Sequence, residues 1–161
     1  MAIRNILVNG NPLLRKISKP IKSVTSEVRR LIDDMIDTMY ANRGAGLAAI
    51  QVGAPLRVII VDVSKEKDQP TPLINPKIIQ KSNEKVGTEA CLSVPGLEGK
   101  VCRAQNVSVK AKNLQFQDVE MDVEGYFAVA IQHEIDHLEG ILYLDRVEKG
   151  TLKPTVDDDD E

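Results

Sequence analysis

The sequence predicts an α+β fold, with antiparallel sheets packed around a central helix and with an amphipathic helix near the N-terminus. Apolar residues follow helical spacing in two stretches, one early and one late. The segments between these stretches are β-branched or alternate in the manner of strands. The order helix, strands, helix is typical of α+β proteins and not of regular βαβ winding.

The first helix is predicted over residues 25–41. Thr25 or Ser26 is suited to cap its start. Asn42 and Gly44 mark its end, and the glycine is expected to supply the left-handed conformation that closes many helices. The apolar residues of one face recur three and four positions apart: Val28, Leu31, Ile32, Met35, Ile36 and Met39.

Strands are predicted in the middle of the chain, where β-branched residues cluster. Residues 57–63 form a continuous apolar run typical of a buried strand, and a shorter strand is expected at residues 73–75. Residues 106–112 and 118–123 alternate on the two sides of a polar turn. That arrangement predicts a hairpin.

The second helix is predicted over residues 125–138 and stops at Gly140, because glycine commonly ends a helix. Residues 141–144 are expected to add a last short strand. A chain of 161 residues is long enough to form one core without disulfide bonds. We therefore expect a single domain over residues 1–150, followed by an acidic, solvated C-terminal tail over residues 151–161.

The composition of the chain argues against nucleic acid and membranes as partners. The formal net charge of −3 gives no broad attraction for a polyanion, so no nucleic acid is expected to bind. No apolar run approaches the roughly 18 residues that span a bilayer, and the start lacks an apolar signal segment. We expect no membrane partner and a cytoplasmic protein, or an organellar or host-cytoplasmic one. In such a reducing compartment, Cys91 and Cys102 are expected to be free thiols or ligands.

The second helix carries the motif His133-Glu134-Ile135-Asp136-His137, or HExxH. Residues four apart lie almost above one another on a helix, so both imidazoles can reach one metal ion. Glu134 flanks the same face and can take a proton from a metal-bound water. Both histidines of the chain fall inside this motif, which favours a metal site over two surface histidines. The motif therefore predicts a metal-dependent hydrolase.

A catalytic metal needs a third protein ligand and an open coordination position. Zincin endopeptidases use a downstream glutamate or histidine, but Tyr143 occupies the position of that histidine here. Glu139 and Glu148 stay open as ligands of an endopeptidase. Cys91, in a stretch predicted to be irregular, is the other possible ligand because its thiolate can bind the ion. A non-catalytic metal-binding or interaction module is the third alternative.

Three separated segments resemble, in order and spacing, the signature motifs of the peptide deformylases. The likeness extends to residues 11–16 and covers residues 3–147. It implies hydrolytic removal of the N-formyl group from the N-terminal formylmethionine of newly synthesised polypeptides, releasing formate. Metal-bound hydroxide and a glutamate general acid/base would do this. The three segments are Gly44-Ala45-Gly46-Leu47-Ala48-Ala49-Ile50-Gln51, Glu89-Ala90-Cys91-Leu92-Ser93 and Gln132-His133-Glu134-Ile135-Asp136-His137-Leu138.

The resemblance also implies roles for single residues. Cys91, His133 and His137 match the metal ligands of the family, and Glu134 matches its general acid/base. One divalent ion is implied, with Fe(II) as the usual metal of the family and Zn, Ni or Co as substitutes. Thiolate and imidazole ligands suit all four metals.

Other matching residues are expected to bind the substrate. The Gln51 amide and the Leu92 backbone N–H match the donors that stabilise the developing oxyanion. The backbone at Gly46 is expected to align the substrate chain, and Arg103 to lie near the mouth of the pocket or on the surface. The remaining residues assigned to the substrate are Ala45 and Glu89 in the motifs, and Tyr126, Val129 and Ala130 as a wall of the methionine pocket.

Two positions depart from the family pattern, since Ala90 replaces a usual glycine and Cys102 replaces a common proline. If position 90 needs a positive φ, alanine costs on the order of 1 kcal/mol and shifts the loop with Cys91. Many bacterial members also continue into a C-terminal helix implicated in ribosome contact. This chain ends in acidic residues instead, so we expect no ribosome docking through the C-terminal tail. We expect a monomer that acts on N-formylmethionyl nascent peptides.

Overall fold

The computed structural model describes residues 2–155, and the acidic run at residues 156–161 lies outside the described residues. The expectation about ribosome docking therefore concerns a segment that is not described. In the described range, no helix combines the length and apolar character needed to cross a bilayer. The elements there are α1 (Ser26–Ala41), α2 (Gly125–Leu138), β1 (Gly46–Ala48), β2 (Val58–Val61), β3 (Thr71–Cys91), β4 (Val94–Lys112), β5 (Asp118–Glu124) and β6 (Lys153–Pro154).

The strands form an antiparallel sheet in the order β1-β2-β3-β4-β5, and β6 pairs with β4. The predicted α+β class is confirmed. So is the hairpin, because β4 and β5 pair from Asn106 opposite Glu124 to Lys112 opposite Asp118. At the other end of the sheet, β1 pairs with β2 alone, so one edge of β1 is left without a strand neighbour among the described residues.

Strands β3 and β4 are much longer than the sequence predicted. Residues 73–75 are only the start of β3, which continues to Cys91 and pairs with β4 through several register shifts. Residues 79–88 are all exposed and lack an apolar alternation, which explains why the sequence does not predict the extension. The prediction of an irregular stretch at Cys91 is wrong, because that residue is the last of β3.

The predicted strand at residues 141–144 is also wrong. A 3₁₀ helix, Tyr143–Asp145, occupies this place. The Asp145 carboxylate accepts a hydrogen bond from Leu142 N at 3.0 Å, so a local turn competes successfully with an extended conformation.

Helix α1 begins where the sequence predicts, with Thr25 Oγ1 accepting a hydrogen bond from Val28 N at 3.2 Å. Its end differs from the prediction. Arg43, with φ of 56°, is the left-handed residue, and Gly44 N donates to Met39 O at 2.9 Å. Gly44 has another function: a Cβ there would lie 2.8 Å from Cδ1 of Leu92.

Helix α2 is central, because it contacts β1, β2, β4 and β5. Its apolar face packs in a core cluster with Ala128, Ile131 and Leu138 buried. The N-terminal segment closes its end, since Ser18 N donates to Leu138 O at 2.8 Å. Gly140, with φ of 74°, lies so close to Arg15 that a Cβ would stand 2.4 Å from its carbonyl oxygen.

Candidate metal centre

Three potential metal ligands converge where the end of β3 meets α2. One donor atom each from Cys91, His133 and His137 lies within 4.8 Å of the other two. Cys91 Sγ is 3.4 Å from His137 Nε2, close to the roughly 3.5 Å that separates a sulfur and a nitrogen on one tetrahedral ion. Both imidazoles are buried. The donor set fits a single transition-metal ion and leaves a fourth position for a water.

Glu89 orients one of these imidazoles. His133 Nδ1 lies 2.8 Å from Glu89 Oε1, which leaves Nε2 of the ring to face the cluster. Burial raises the pKa of Glu89, but hydrogen bonds from His133 and Arg103 outweigh it and lower the pKa to about 2. Burial also lowers the pKa of His137 well below its usual value, so this imidazole is neutral, as a ligand must be.

Arg103 lines the cavity with a side chain that is buried. It is 5 % exposed, so the alternative of a surface charge is wrong. Its Nε and one terminal nitrogen contact the two oxygens of Glu89 at 2.8 and 3.0 Å. The other terminal nitrogen donates to Asp136 at 2.6 Å, and Asp136 also accepts from Arg146. This charged network joins β3, β4 and α2 behind the metal ligands.

Glu134 is a buried carboxyl group beside the cluster. Its side chain packs against Gly46 of β1, where a Cβ would lie 2.5 Å from Glu134 Oε2. Burial raises the pKa of Glu134 to about 7. A carboxyl group with such a pKa can both accept and donate a proton near neutral pH.

The Gln51 amide reaches the same cluster from the 3₁₀ helix that follows β1. Gln51 is buried, and its Oε1 accepts a hydrogen bond from Ala48 N at 2.9 Å. Its Nε2 donates to Ser93 Oγ at 3.0 Å and approaches Cys91 Sγ at 3.7 Å. Ser93 ends one of the three motifs, but its position in the sequence predicts no role for it. The structure places it as the residue that holds the Gln51 amide.

A cavity of about 640 Å³ opens beside the cluster. Cys91, His133 and Glu134 line its inner end, whereas Gln51 and His137 lie behind the lining. The structure thus brings the predicted residues from β1, β3, β4 and α2 to one place. The other predicted residues that line the cavity are Ala45, Gly46, Glu89, Leu92, Arg103, Tyr126, Val129 and Ala130.

The two departures from the motif pattern are accommodated without strain. Ala90 is not among the residues with a positive φ, so the alanine adds no backbone cost beside Cys91. Both cysteines are free thiols, as expected. Cys102 is exposed, and its sulfur lies 3.8 Å from Glu84 and not at the cluster.

The alternative ligands of an endopeptidase are not near the histidines. Glu139 forms an ion pair with Arg57 at 2.7 Å. Within residues 2–155, the group of Cys91 and the two histidines is the one set of His, Cys, Asp and Glu side chains close enough to hold an ion.

An α+β domain whose central helix presents two imidazoles and a glutamate beside a cysteine defines a metal-dependent hydrolase. A family model described as polypeptide deformylase matches residues 3–153. A peptide deformylase of Lachnoclostridium phytofermentans is 47% identical over 161 residues, which cover 100% of this chain and 99% of that protein. The chain belongs to the peptide deformylase family.

Other relatives and solved structures that this chain matches are also peptide deformylases. A peptide deformylase of Phenylobacterium zucineum is 47% identical over 152 residues, covering 92% of this chain and 90% of that protein. The crystal structure of a peptide deformylase from Legionella pneumophila matches with a TM-score of 0.88 and 42% identity, covering 91% of this chain and 87% of that chain. One from Ehrlichia chaffeensis, solved in complex with actinonin, matches with a TM-score of 0.88 and 35% identity, covering 92% of this chain and 91% of that chain.

Proposed function

We propose that this chain hydrolyses the N-formyl group from the N-terminal formylmethionine of newly synthesised polypeptides and releases formate. Membership of the peptide deformylase family supports the reaction class. The observation that carries the proposal is the buried carboxyl of Glu134, held between Gly46 and three metal-ligating side chains at the inner end of a cavity. Formylated chains arise where ribosomes work, so we place the enzyme in the cytoplasm or an organelle.

Cys91, His133 and His137 would hold one divalent ion. Their thiolate and imidazole donors suit Fe(II), and equally Zn, Ni or Co. When bound, such an ion acts as a Lewis acid that polarises the formyl carbonyl and lowers the pKa of a water toward about 7. Glu89 would keep the His133 ring in the orientation that this role requires, through the 2.8 Å contact at Nδ1.

Glu134 would carry the proton through the reaction. Its carboxylate takes a proton from the attacking water as the water oxygen bonds to the formyl carbon. The carbon–nitrogen bond then breaks, and the Glu134 carboxyl gives this proton to the leaving methionine nitrogen. Its pKa of about 7, raised by burial, supports both transfers near neutral pH.

Two donors would stabilise negative charge on the formyl oxygen. They are the backbone N–H of Leu92, which lines the cavity, and the amide of Gln51. The Gln51 amide already lies against Ser93 and Cys91, with its oxygen fixed by Ala48 N. This fixed position supports a preorganised donor, because little reorganisation is needed when charge develops.

The substrate chain would add to the free edge of β1. An extended peptide can pair with an edge strand through its main chain and place alternate side chains in pockets. At Gly46 the absence of a side chain lets the peptide and Glu134 approach each other. The methionine side chain would then extend between Val129 and Ala130 of α2 and the exposed ring of Tyr126.

The deciding experiment is an assay of formate release from a formyl-Met peptide by protein loaded anaerobically with Fe(II). We expect turnover by the unmodified chain and a loss of about 10²- to 10⁴-fold in kcat for Glu134→Gln, with the metal retained. Glu139→Gln is the matched control, because Glu139 pairs with Arg57 away from the cavity and should leave the rate unchanged. A fully active Glu134→Gln variant would disprove the proton-transfer role.

A further inference from the structure

Three charged side chains at the rim of the cavity are not used by the mechanism. Arg43, Lys85 and Glu98 all line the cavity, and none makes a side-chain hydrogen bond or ion pair with another described residue. Of the other charged residues in the lining, Glu89 and Arg103 contact each other below the surface, and Glu134 is the proposed proton carrier. The rim charges are therefore available to a bound molecule.

The two cations belong to the lining of one cavity. Arg43 is exposed and lies three residues before Gly46, in the left-handed conformation that closes α1. Lys85 is exposed on β3, directly opposite Arg103 of β4. Cross-strand partners project from the same face of a sheet, so the Lys85 side chain projects from the face that carries Arg103.

Neighbouring acidic residues leave these cations largely uncompensated. Glu98 is half-buried and stands opposite Lys153 in the pairing of β4 with β6, so a third cation lies on the neighbouring strand, although the two side chains form no ion pair. Glu84 precedes Lys85, but its carboxylate contacts Cys102, and successive residues of a strand project from opposite faces. The rim thus has a positive excess around Arg43 and Lys85.

The register of the substrate indicates which of its residues meets this charge. If the formylmethionine lies beside Gly46, the peptide passes Ala45 and Gly44 as it leaves the reacting end. Side chains alternate along an extended chain, so the third residue points to the same side as the methionine, about 7 Å further on. In this register the third residue stands opposite Gly44, which directly follows Arg43 in the chain.

We propose that Arg43 and Lys85 form a cationic rim that selects formylated peptides with an acidic side chain at the third residue. The inference rests on the proposed function. Exposed ion pairs change an equilibrium by roughly 1.4- to 5-fold each. Replacing an acidic by a basic third residue exchanges attraction for repulsion, so kcat/KM should differ by about 5- to 10-fold at low salt and should converge as salt screens the charges.

The test is an internal competition between two peptides in one reaction. Formyl-Met-Ala-Asp-Ala-amide and formyl-Met-Ala-Lys-Ala-amide are mixed, and each deformylated product is quantified by mass spectrometry. The ratio of the two rates does not depend on how much of the protein holds its metal. A second pair of peptides carries Asp or Lys at the second residue, which projects away from the rim, and should show a ratio near 1.

Variants of the rim complete the design. The double variant Arg43→Gln and Lys85→Gln should bring the ratio close to 1, and Arg43→Glu combined with Lys85→Gln should favour the lysine peptide. Arg30→Glu makes the same change of charge on an exposed position of α1 outside the cavity lining, and should keep the wild-type ratio.

Equal rates for the peptides with Asp and Lys at the third residue would overturn the inference about the rim and would leave the proposed function standing. If the double variant kept the preference for the acidic peptide, Arg43 and Lys85 would not be its cause, and the inference would fail. If Arg30→Glu abolished the preference as fully as the rim variants do, overall charge and not the rim would be responsible, and the inference would fail as well. Discrimination at the second residue but not at the third would overturn the assigned register. If no peptide released formate, the proposed function would fail, and this inference would fail with it.

Discussion

Gly46 and Glu134 lie so close together that any side chain on the glycine would overlap the carboxyl group. A Cβ built on Gly46 stands 2.5 Å from Oε2 of Glu134 and 3.0 Å from its Cδ and Cγ. The edge strand β1 and the helix α2 are therefore in contact at the point where the proposed chemistry takes place. The position of the carboxyl group depends on a residue that has no side chain.

Gly46→Ala should lower kcat by about 100-fold. The added methyl group forces Glu134 to move by several tenths of an ångström or more, and misplacement by about 1 Å at a reacting group can cost 10²-fold. The measurement is formate release, together with the metal content of the variant. We expect the metal to be retained, because Gly46 is not among the ligand residues. An unchanged rate would show that Glu134 has room to move.

Cys91→Ala should abolish or severely weaken metal binding. The variant leaves two imidazoles to hold the ion, and within residues 2–155 no carboxylate joins the two histidines in a second set of three potential ligands. The measurement is metal stoichiometry after gel filtration, with Cys102→Ala as the matched control, since Cys102 is exposed and away from the cluster. Full occupancy in Cys91→Ala would favour an endopeptidase-like ligand set.

Glu89→Gln should weaken metal affinity by about 10- to 100-fold. The neutral amide holds the His133 ring less firmly than a carboxylate does, and such partners of metal ligands commonly contribute this much. Titration against a competing chelator measures the change. Glu139→Gln is the matched control, because it also removes a carboxylate that pairs with an arginine, here Arg57, at an exposed position away from the metal. It should leave the metal affinity unaltered.

Asp62 should make the free energy of unfolding of this protein depend on pH in the acid range. Burial raises the pKa of this carboxyl, but hydrogen bonds from Ser64, Tyr40 and Gln69 outweigh it and lower the pKa to about 2. A lowered pKa in the folded state stabilises the protein above pH 4, and this contribution disappears as pH falls toward 2. The folded state should lose about 1 kcal/mol between pH 5 and pH 3, and about 2 kcal/mol in full.

Urea unfolding of the wild type and of Asp62→Asn at pH 5 and pH 3 checks this. The asparagine cannot titrate, so the difference between the two free energies of unfolding should shrink at the lower pH. A constant difference would show that Asp62 is not protonated in this range.

Local patterns were enough to predict both helices and the β4–β5 hairpin. Helix α2 has the predicted bounds, and α1 begins within one residue of the prediction, because each has a clear apolar face or a capping residue. The long β3–β4 pairing was not predictable in the same way. Its polar outer part pairs across the chain and buries few side chains, so the sequence carries no periodic signal there.

The metal cluster was anticipated from the HExxH motif and from the resemblance, and the three ligand side chains do converge. The surroundings of the cluster were less predictable. Nothing in the spacing of Arg103 and Asp136 indicates that they join Glu89 in a buried charged network, since that contact depends on how β3, β4 and α2 pack. The contact of Ser93 with the Gln51 amide could not be predicted either, because the sequence shows Ser93 only as the last residue of a motif.

The closure of α2 by residues 15–18 has a consequence for biosynthesis. A chain leaves the ribosome from its N-terminus, so the segment with Arg15 and Ser18 emerges more than 100 residues before the helix end that it contacts at Leu138 and Gly140. Residues 15–18 can be buried only after α2 has been synthesised and has left the ribosome. The molecule should therefore acquire its metal and its activity only after α2 has emerged, because two of the three potential ligands lie on that helix.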